Sequence, residues 1–178
     1  MKILLHFSAA LLALALSACS ENFSLDMDAL SLAQINNFRA PESGVLSTGQ
    51  PTSDQLSIMA EAGVKHIINL RPPAEDVGFD ERARVEALGM TYHNIPVSVG
   101  EGGINSENAQ SLQALLAEFD GEGVVVHCAT GNRVGALISV YEFVDGNSVE
   151  GAIAEGARWG MTSERLQGIV RDSLSSNN

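Results

Sequence analysis

Residues 124–137 read VVVHCATGNRVGAL. Three valines and a histidine follow one another with no alternation of apolar and polar positions, so the strand they form must be covered on both faces. Such a strand sits in the middle of a sheet held between two layers of helices. The segments before it repeat the rhythm: VLSTGQP, VKHIINL and MTYHNIPV read as strands, each followed by a helical stretch. Strands alternating with helices imply parallel βαβ units. The expected fold is therefore α/β, a three-layer domain with a central, mostly parallel sheet flanked by helices. In such folds ligands collect at the carboxyl ends of the strands. Here those ends carry Gln50, Asn69 to Arg71, Pro96 to Gly103, and Cys128 with its loop, and one pocket could gather all four.

Within this frame, Thr52-Ser53-Asp54-Gln55 has the form of a helix capping box, and Gly63 and Gly89 mark helix ends. Further helices are expected at about 107–119, 133–144, 148–159 and 163–174.

The amino-terminal part reads differently. Lys2 precedes an apolar run from Ile3 to Leu16, too short to span a bilayer comfortably, and Leu16-Ser17-Ala18-Cys19 follows. This segment resembles a bacterial lipobox, which implies cleavage before Cys19 and lipidation there. Ser20, by resemblance to enterobacterial sorting signals, implies the outer membrane. The expected organisation is a signal peptide over 1–18, a tether over 19–43 with a short helix at 28–38, and one domain over 44–178. The protein would then face the periplasm from a lipid anchor at Cys19. Cys128 is the other cysteine, so with Cys19 lipidated no internal disulfide can form.

The chain carries a formal charge of −12, and loss of Lys2 with residues 1–18 brings the remainder to −13. Such a field repels nucleic acid, which is excluded as a partner. A phosphorylated or other oxyanion substrate would need local donors to hold it. His66, His93 and His127 lie apart, with no metal-binding spacing, so neither metal nor organic cofactor is implied.

A cysteine where a strand turns into a helix sits at the positive end of the helix dipole, which favours negative charge on its sulfur. The N–H groups of Ala129, Thr130, Gly131, Asn132 and Arg133 can form a nest for an oxyanion. Gly131 permits the tight turn, and the planar fork of Arg133 can grip two oxygens. The plainer alternative is a small buried thiol beside a helix-surface arginine.

HCATGNR resembles the HCxxGxxR signature of cysteine-dependent protein tyrosine and dual-specificity phosphatases. More closely, STGQPTSDQLSIMAEAGVKHIINLRP, YHNIPV and HCATGNRVGAL, in this order, resemble the bacterial beta-lactamase-hydrolase-like phosphatase family over about 45–159. The resemblance implies a compact dual-specificity-phosphatase-like domain that hydrolyses a phosphomonoester through a phosphocysteine intermediate on Cys128, with Arg133 holding the phosphoryl oxygens.

Two departures bear on chemistry. Four residues, not five, separate Cys128 from Arg133, and Val134 rather than a hydroxyl follows the arginine. The short spacing is shared with the beta-lactamase-hydrolase-like group and with the CxxGxR loop of rhodaneses, where the cysteine carries sulfane sulfur. Sulfur transfer on Cys128 and non-catalytic anion binding therefore stand as alternatives. The upstream loop PVSVGEGGINSE contains no aspartate to protonate a leaving group. Glu101 is the chosen general acid, ahead of Glu107, Asp76 and Asp80. His127 is expected to bond neighbouring backbone and shape the loop. Asn69 and Arg71 either orient the pocket, or Arg71 pairs with Glu75 or Asp76.

Overall fold

The structure is a computed structural model and describes residues 24–176. The signal peptide and Cys19 expected from the sequence lie outside the described residues. Five strands form one sheet: β1 (Arg39–Glu42), β2 (Val45–Thr48), β3 (His66–Asn69), β4 (Thr91–Asn94) and β5 (Val124–His127), in the order β1-β2-β5-β3-β4. All neighbours are parallel except β1 with β2. The three inner strands are buried at every position, whereas β1 and β4 at the edges are partly exposed.

Period-two alternation divides the valines of β5 between two cores. Val124 and Val126 join Ile68 in the core under α4 (Ser106–Glu118), α5 (Asn132–Val144), α6 (Val149–Arg158) and α7 (Glu164–Ser176). Val125 joins Leu46 and Ile67 in the core under α1 (Met27–Leu32), α2 (Ser53–Glu61) and α3 (Glu81–Ala87). The result is the three-layer arrangement expected from the sequence. Close packing of α5 on α6 requires glycine on both sides: a Cβ on Gly135 would stand 2.1 Å from the Gly156 carbonyl oxygen.

Helix ends follow the sequence signals closely. Gln55 N donates to Thr52 Oγ1 at 3.2 Å and Thr52 N donates to Gln55 Oε1 at 2.9 Å, completing the capping box. Gly63 and Gly89, at φ of 99° and 78°, end α2 and α3. The strand expected over 90–97 ends at Asn94; beyond it Ile95 N and Val97 N still donate to the carbonyls of Asn69 and Leu70, while the Asn94 side-chain amide donates to the carbonyls of Asn69 and Arg71.

The tether is shorter than the 19–43 expected. Within that segment α1 and β1 belong to the domain, and Leu30 and Ile35 are buried. Burial of Leu30 alone stabilises the docked segment by about 2 kcal/mol. Pro41 conceals β1 in the sequence, and it is tolerated because β1 is an edge strand.

Candidate active site

Four strand ends meet around Cys128. Leu70 N donates to the His127 carbonyl at 2.8 Å, and Gln50 N donates to the Ala129 carbonyl at 3.2 Å. Gly49 and Thr130 form an isolated antiparallel bridge. Val97, at the start of the glycine-rich loop, accepts from Arg133 Nη1 at 3.0 Å. These bonds draw the four strand ends together around the loop, but the space above them is divided: Asn69 and Arg71 line one cavity with Glu75, whereas Val99, Gly100, Thr130 and Asn132 line another.

Cys128 is buried, and Gly131 N donates to its sulfur at 3.1 Å. Gly131 has φ of 81° and caps α5, whose first turn receives no side-chain cap. Uncapped N–H groups at a helix start beside a sulfur make an anion cradle. Around it the loop is braced by polar side chains. Asn132 Nδ2 donates to Thr130 Oγ1 at 3.0 Å, while Asn132 Oδ1 accepts from Ser163 N at 2.8 Å. These side chains hold the loop, so Thr130 and Asn132 can meet an anion through their backbone.

Asn37, within the expected tether, is a brace that sequence reasoning missed. Its Nδ2 donates to the carbonyls of Thr130 and Gly160, each at 2.8 Å. It does so from a left-handed backbone with φ of 49°, which no sequence pattern reveals. A Cβ on Gly131 would stand 2.4 Å from that same Nδ2.

Arg133 turns inward, its side chain 11% exposed. Nη1 and Nη2 donate to the two carboxylate oxygens of Glu75 at 2.8 and 2.7 Å. Burial works to lower the Arg133 pKa, but the bonds to Glu75 and the proximity of the Cys128 sulfur outweigh it and raise it. Glu75 is held below the ordinary carboxylate range, first by its bond to Arg133, against a burial effect, and then by Arg71. The pair is thus doubly charged at neutral pH.

Arg71 takes the pairing alternative. Nε donates to Glu75 at 3.0 Å, Nη1 to Gln50 Oε1 at 2.5 Å, and Nη2 to the carbonyls of Glu75 and Asp76. It pins the loop that carries Glu75, and it meets the cradle through Glu75 rather than by pointing into it.

His127 departs from expectation. The ring is fully buried and neither nitrogen has a hydrogen-bond partner of good geometry, although Nε2 lies 3.3 Å from Glu81 Oε1. Burial pushes its pKa down to about 3, against a smaller opposing effect of the Cys128 backbone. The imidazole is therefore neutral at physiological pH. Glu81, the second residue missed from sequence, is a buried acid accepting from Gln50 Nε2 at 2.6 Å and Asn69 Nδ2 at 2.7 Å. Desolvation by burial raises its pKa, against those bonds. In the sequence it is one more acid in a helix's first turn, indistinguishable from a solvated one.

Glu101 ends a short 3-10 helix, Val99–Glu101, beside the cradle; its side chain lies outside the described structure. Of the competing acids, Asp80 caps α3, Asp76 accepts from Gly78 N, and Glu107 is exposed in the first turn of α4. Among the described residues no group of three or more His, Cys, Asp or Glu could hold a metal.

Comparison with known proteins agrees with this architecture. Residues 31–172 match the family model described as "DSP-PTPase phosphatase fused to NAD+ Kinase". A beta-lactamase hydrolase-like protein of Xylella fastidiosa is 36% identical over 103 residues, 56% of this chain but only 23% of that protein. The match thus spans about a quarter of the relative's length. Among solved structures, a DUF442 protein of Shewanella putrefaciens superposes with TM-score 0.63 at 24% identity, over 85% of this chain and 97% of its own. TpbA of P. aeruginosa, solved as a cysteine-to-serine variant in complex with pTyr, gives TM-score 0.53 at 18% identity over 78% of this chain and 86% of its own. Since the family model covers most of the domain, including the Cys128 loop and the braces around it, the chain belongs to this family of DSP-PTPase phosphatases.

Proposed function

We propose that the protein is a cysteine-dependent phosphomonoesterase. The Cys128 sulfur attacks phosphorus, forming an S–P bond as the P–O bond to the leaving group breaks. Glu101 is the candidate that protonates that oxygen. Water then attacks phosphorus, the S–P bond breaks, and inorganic phosphate leaves. The N–H groups of 129–133 and the Arg133 guanidinium hold the equatorial oxygens as charge develops.

One observation carries this reading: Gly131 N donates to the Cys128 sulfur at the uncapped start of α5, with Arg133 turned in beside it. The family match favours this chemistry over sulfur carriage, which the loop alone leaves open. The pTyr complex of TpbA is consistent with an oxyanion substrate, without naming the one used here. Assay of an aryl phosphate tests the proposal, with Cys128→Ser expected to abolish turnover. Unchanged turnover in that variant overturns it. Phosphate binding lost in Arg133→Ala, with no turnover of any phosphoester by the parent, would instead leave an anion-binding module.

We further infer, from the Leu16-Ser17-Ala18-Cys19 motif, a lipid on Cys19 that holds the domain on the periplasmic side of the envelope, at the outer membrane. Mass analysis of the membrane-bound protein tests this: the parent should start at Cys19 and carry the lipid mass, whereas Cys19→Ser should lack the lipid and retain residues 1–18.

A further inference from the structure

Thr130 and Asn132 of the active-site loop also line a groove of about 500 Å³. Its other walls include Val99, Leu166, Ile169 and Arg165. Val99 and Ile169 are 43% and 47% exposed, two of the few large apolar side chains left open to solvent. Singly exposed apolar residues are ordinary, but these two share one groove beside an anion cradle.

Arg165 supplies the second observation. It is exposed in the first turn of α7, and among the described residues it has neither an ion pair nor a hydrogen-bond partner. By contrast Arg71, Arg133, Arg158 and Arg171 each hold a carboxylate. In a chain of charge −12, an unpaired guanidinium at the rim of a groove is a local attractor for a negative group.

We propose that this groove is the leaving-group subsite, and that it selects small aryl phosphates bearing a second anionic substituent. The ring lies against Val99, Leu166 and Ile169, and the substituent meets Arg165. A cavity of this size suits a ring with its substituent, and such sites combine apolar walls with a few convergent polar groups. The proposal rests on the Cys128 reading above, because the groove has a leaving group to hold only if phosphorus is attacked at that sulfur. Arg165 acts as a specificity residue and takes no part in bond making.

The test compares phenyl phosphate with the three carboxyphenyl phosphate isomers. At least one isomer is expected to exceed phenyl phosphate in kcat/KM by about tenfold, equivalent to about 1.4 kcal/mol. That ratio should collapse towards one in Arg165→Ala and persist in Arg165→Lys. The same four compounds are titrated calorimetrically against Cys128→Ser, with and without Arg165→Ala, so that selectivity is also read without turnover. Turnover with a ratio near one for every isomer, or a ratio unaltered by Arg165→Ala, overturns the subsite. Selective, Arg165-dependent binding without Cys128-dependent turnover overturns the phosphatase mechanism and leaves the groove as a binding site.

Discussion

Glu75 occupies both terminal nitrogens of Arg133, with oxygens at 2.8 and 2.7 Å, in the fork geometry that a phosphate would use. A carboxylate and a phosphate dianion cannot hold the same two donors together. Glu75 therefore competes with the bound anion. In Glu75→Gln the inhibition constant for inorganic phosphate should fall about five- to tenfold, as expected when one charge-assisted partner is removed. An unchanged or weaker inhibition constant would mean that phosphate binds beside Glu75 without displacing it.

The pH dependence of that pair has a definite sign. Arg133 and Arg71 hold Glu75 below its ordinary value, so its contribution to stability is present above the unfolded carboxylate pKa and is lost as pH falls through the folded one. Thermal unfolding should show the difference between the parent and Glu75→Gln shrinking below about pH 4. Because Glu75 is more than a third exposed, the effect is small, and salt should reduce it.

His127 gives a larger and separable effect. Its pKa is pushed from the ordinary 6.5 down to about 3 by burial, so the unfolded chain takes up the proton first as pH falls. Stability contributed by the neutral ring is complete above about pH 6.5 and declines towards pH 3, by at most about 5 kcal/mol. The His127 ring resonances should show no titration between about pH 7.5 and 5, because a depression of this size keeps the ring neutral across that range. A midpoint near 6.5, the ordinary value, would contradict the buried, neutral assignment.

The brace behind the cradle yields a stability prediction. Asn37→Ala removes two hydrogen bonds to the carbonyls of Thr130 and Gly160 and places alanine at a positive φ. Destabilisation of about 2–3 kcal/mol is expected, with a larger proportional loss of turnover because the loop loses its tie to Gly160. Gly131→Ala should be at least as damaging, since its Cβ would collide with Asn37 at 2.4 Å while the backbone stays at φ of 81°. Denaturant unfolding paired with aryl phosphate kinetics measures both.

These residues also mark how far the sequence could be read. The layered fold was legible because VVVH lacks alternation and because Thr52, Gly63 and Gly89 carry their local conformations in their chemistry. Cys128, Gly131 and Arg133 were legible because a strand-loop-helix turn fixes their neighbourhood over a few residues. Asn37 and Glu81 were not, and of Glu75 only the local pairing with Arg71 was, since the remaining roles depend on partners distant in the chain: Asn37 on Gly160, Glu75 on Arg133, Glu81 on Gln50. Docking of α1 and β1 was hidden for a similar reason. Leu30 and Ile35 form no helical stripe, and only the packed α2 and β2 show where they go.

Covalent phosphorylation of Cys128 is what separates a cysteine-dependent phosphomonoesterase from an anion-binding module or a sulfur carrier. Rapid acid quenching of the enzyme with an aryl phosphate, followed by mass analysis of the peptide containing Cys128, tests this directly. The mechanism predicts one phosphoryl group on the Cys128 sulfur, absent in Cys128→Ser and depleted in Arg133→Ala. Steady turnover with no phosphoryl group on Cys128 at any quench time, or turnover that survives Cys128→Ser, would contradict it.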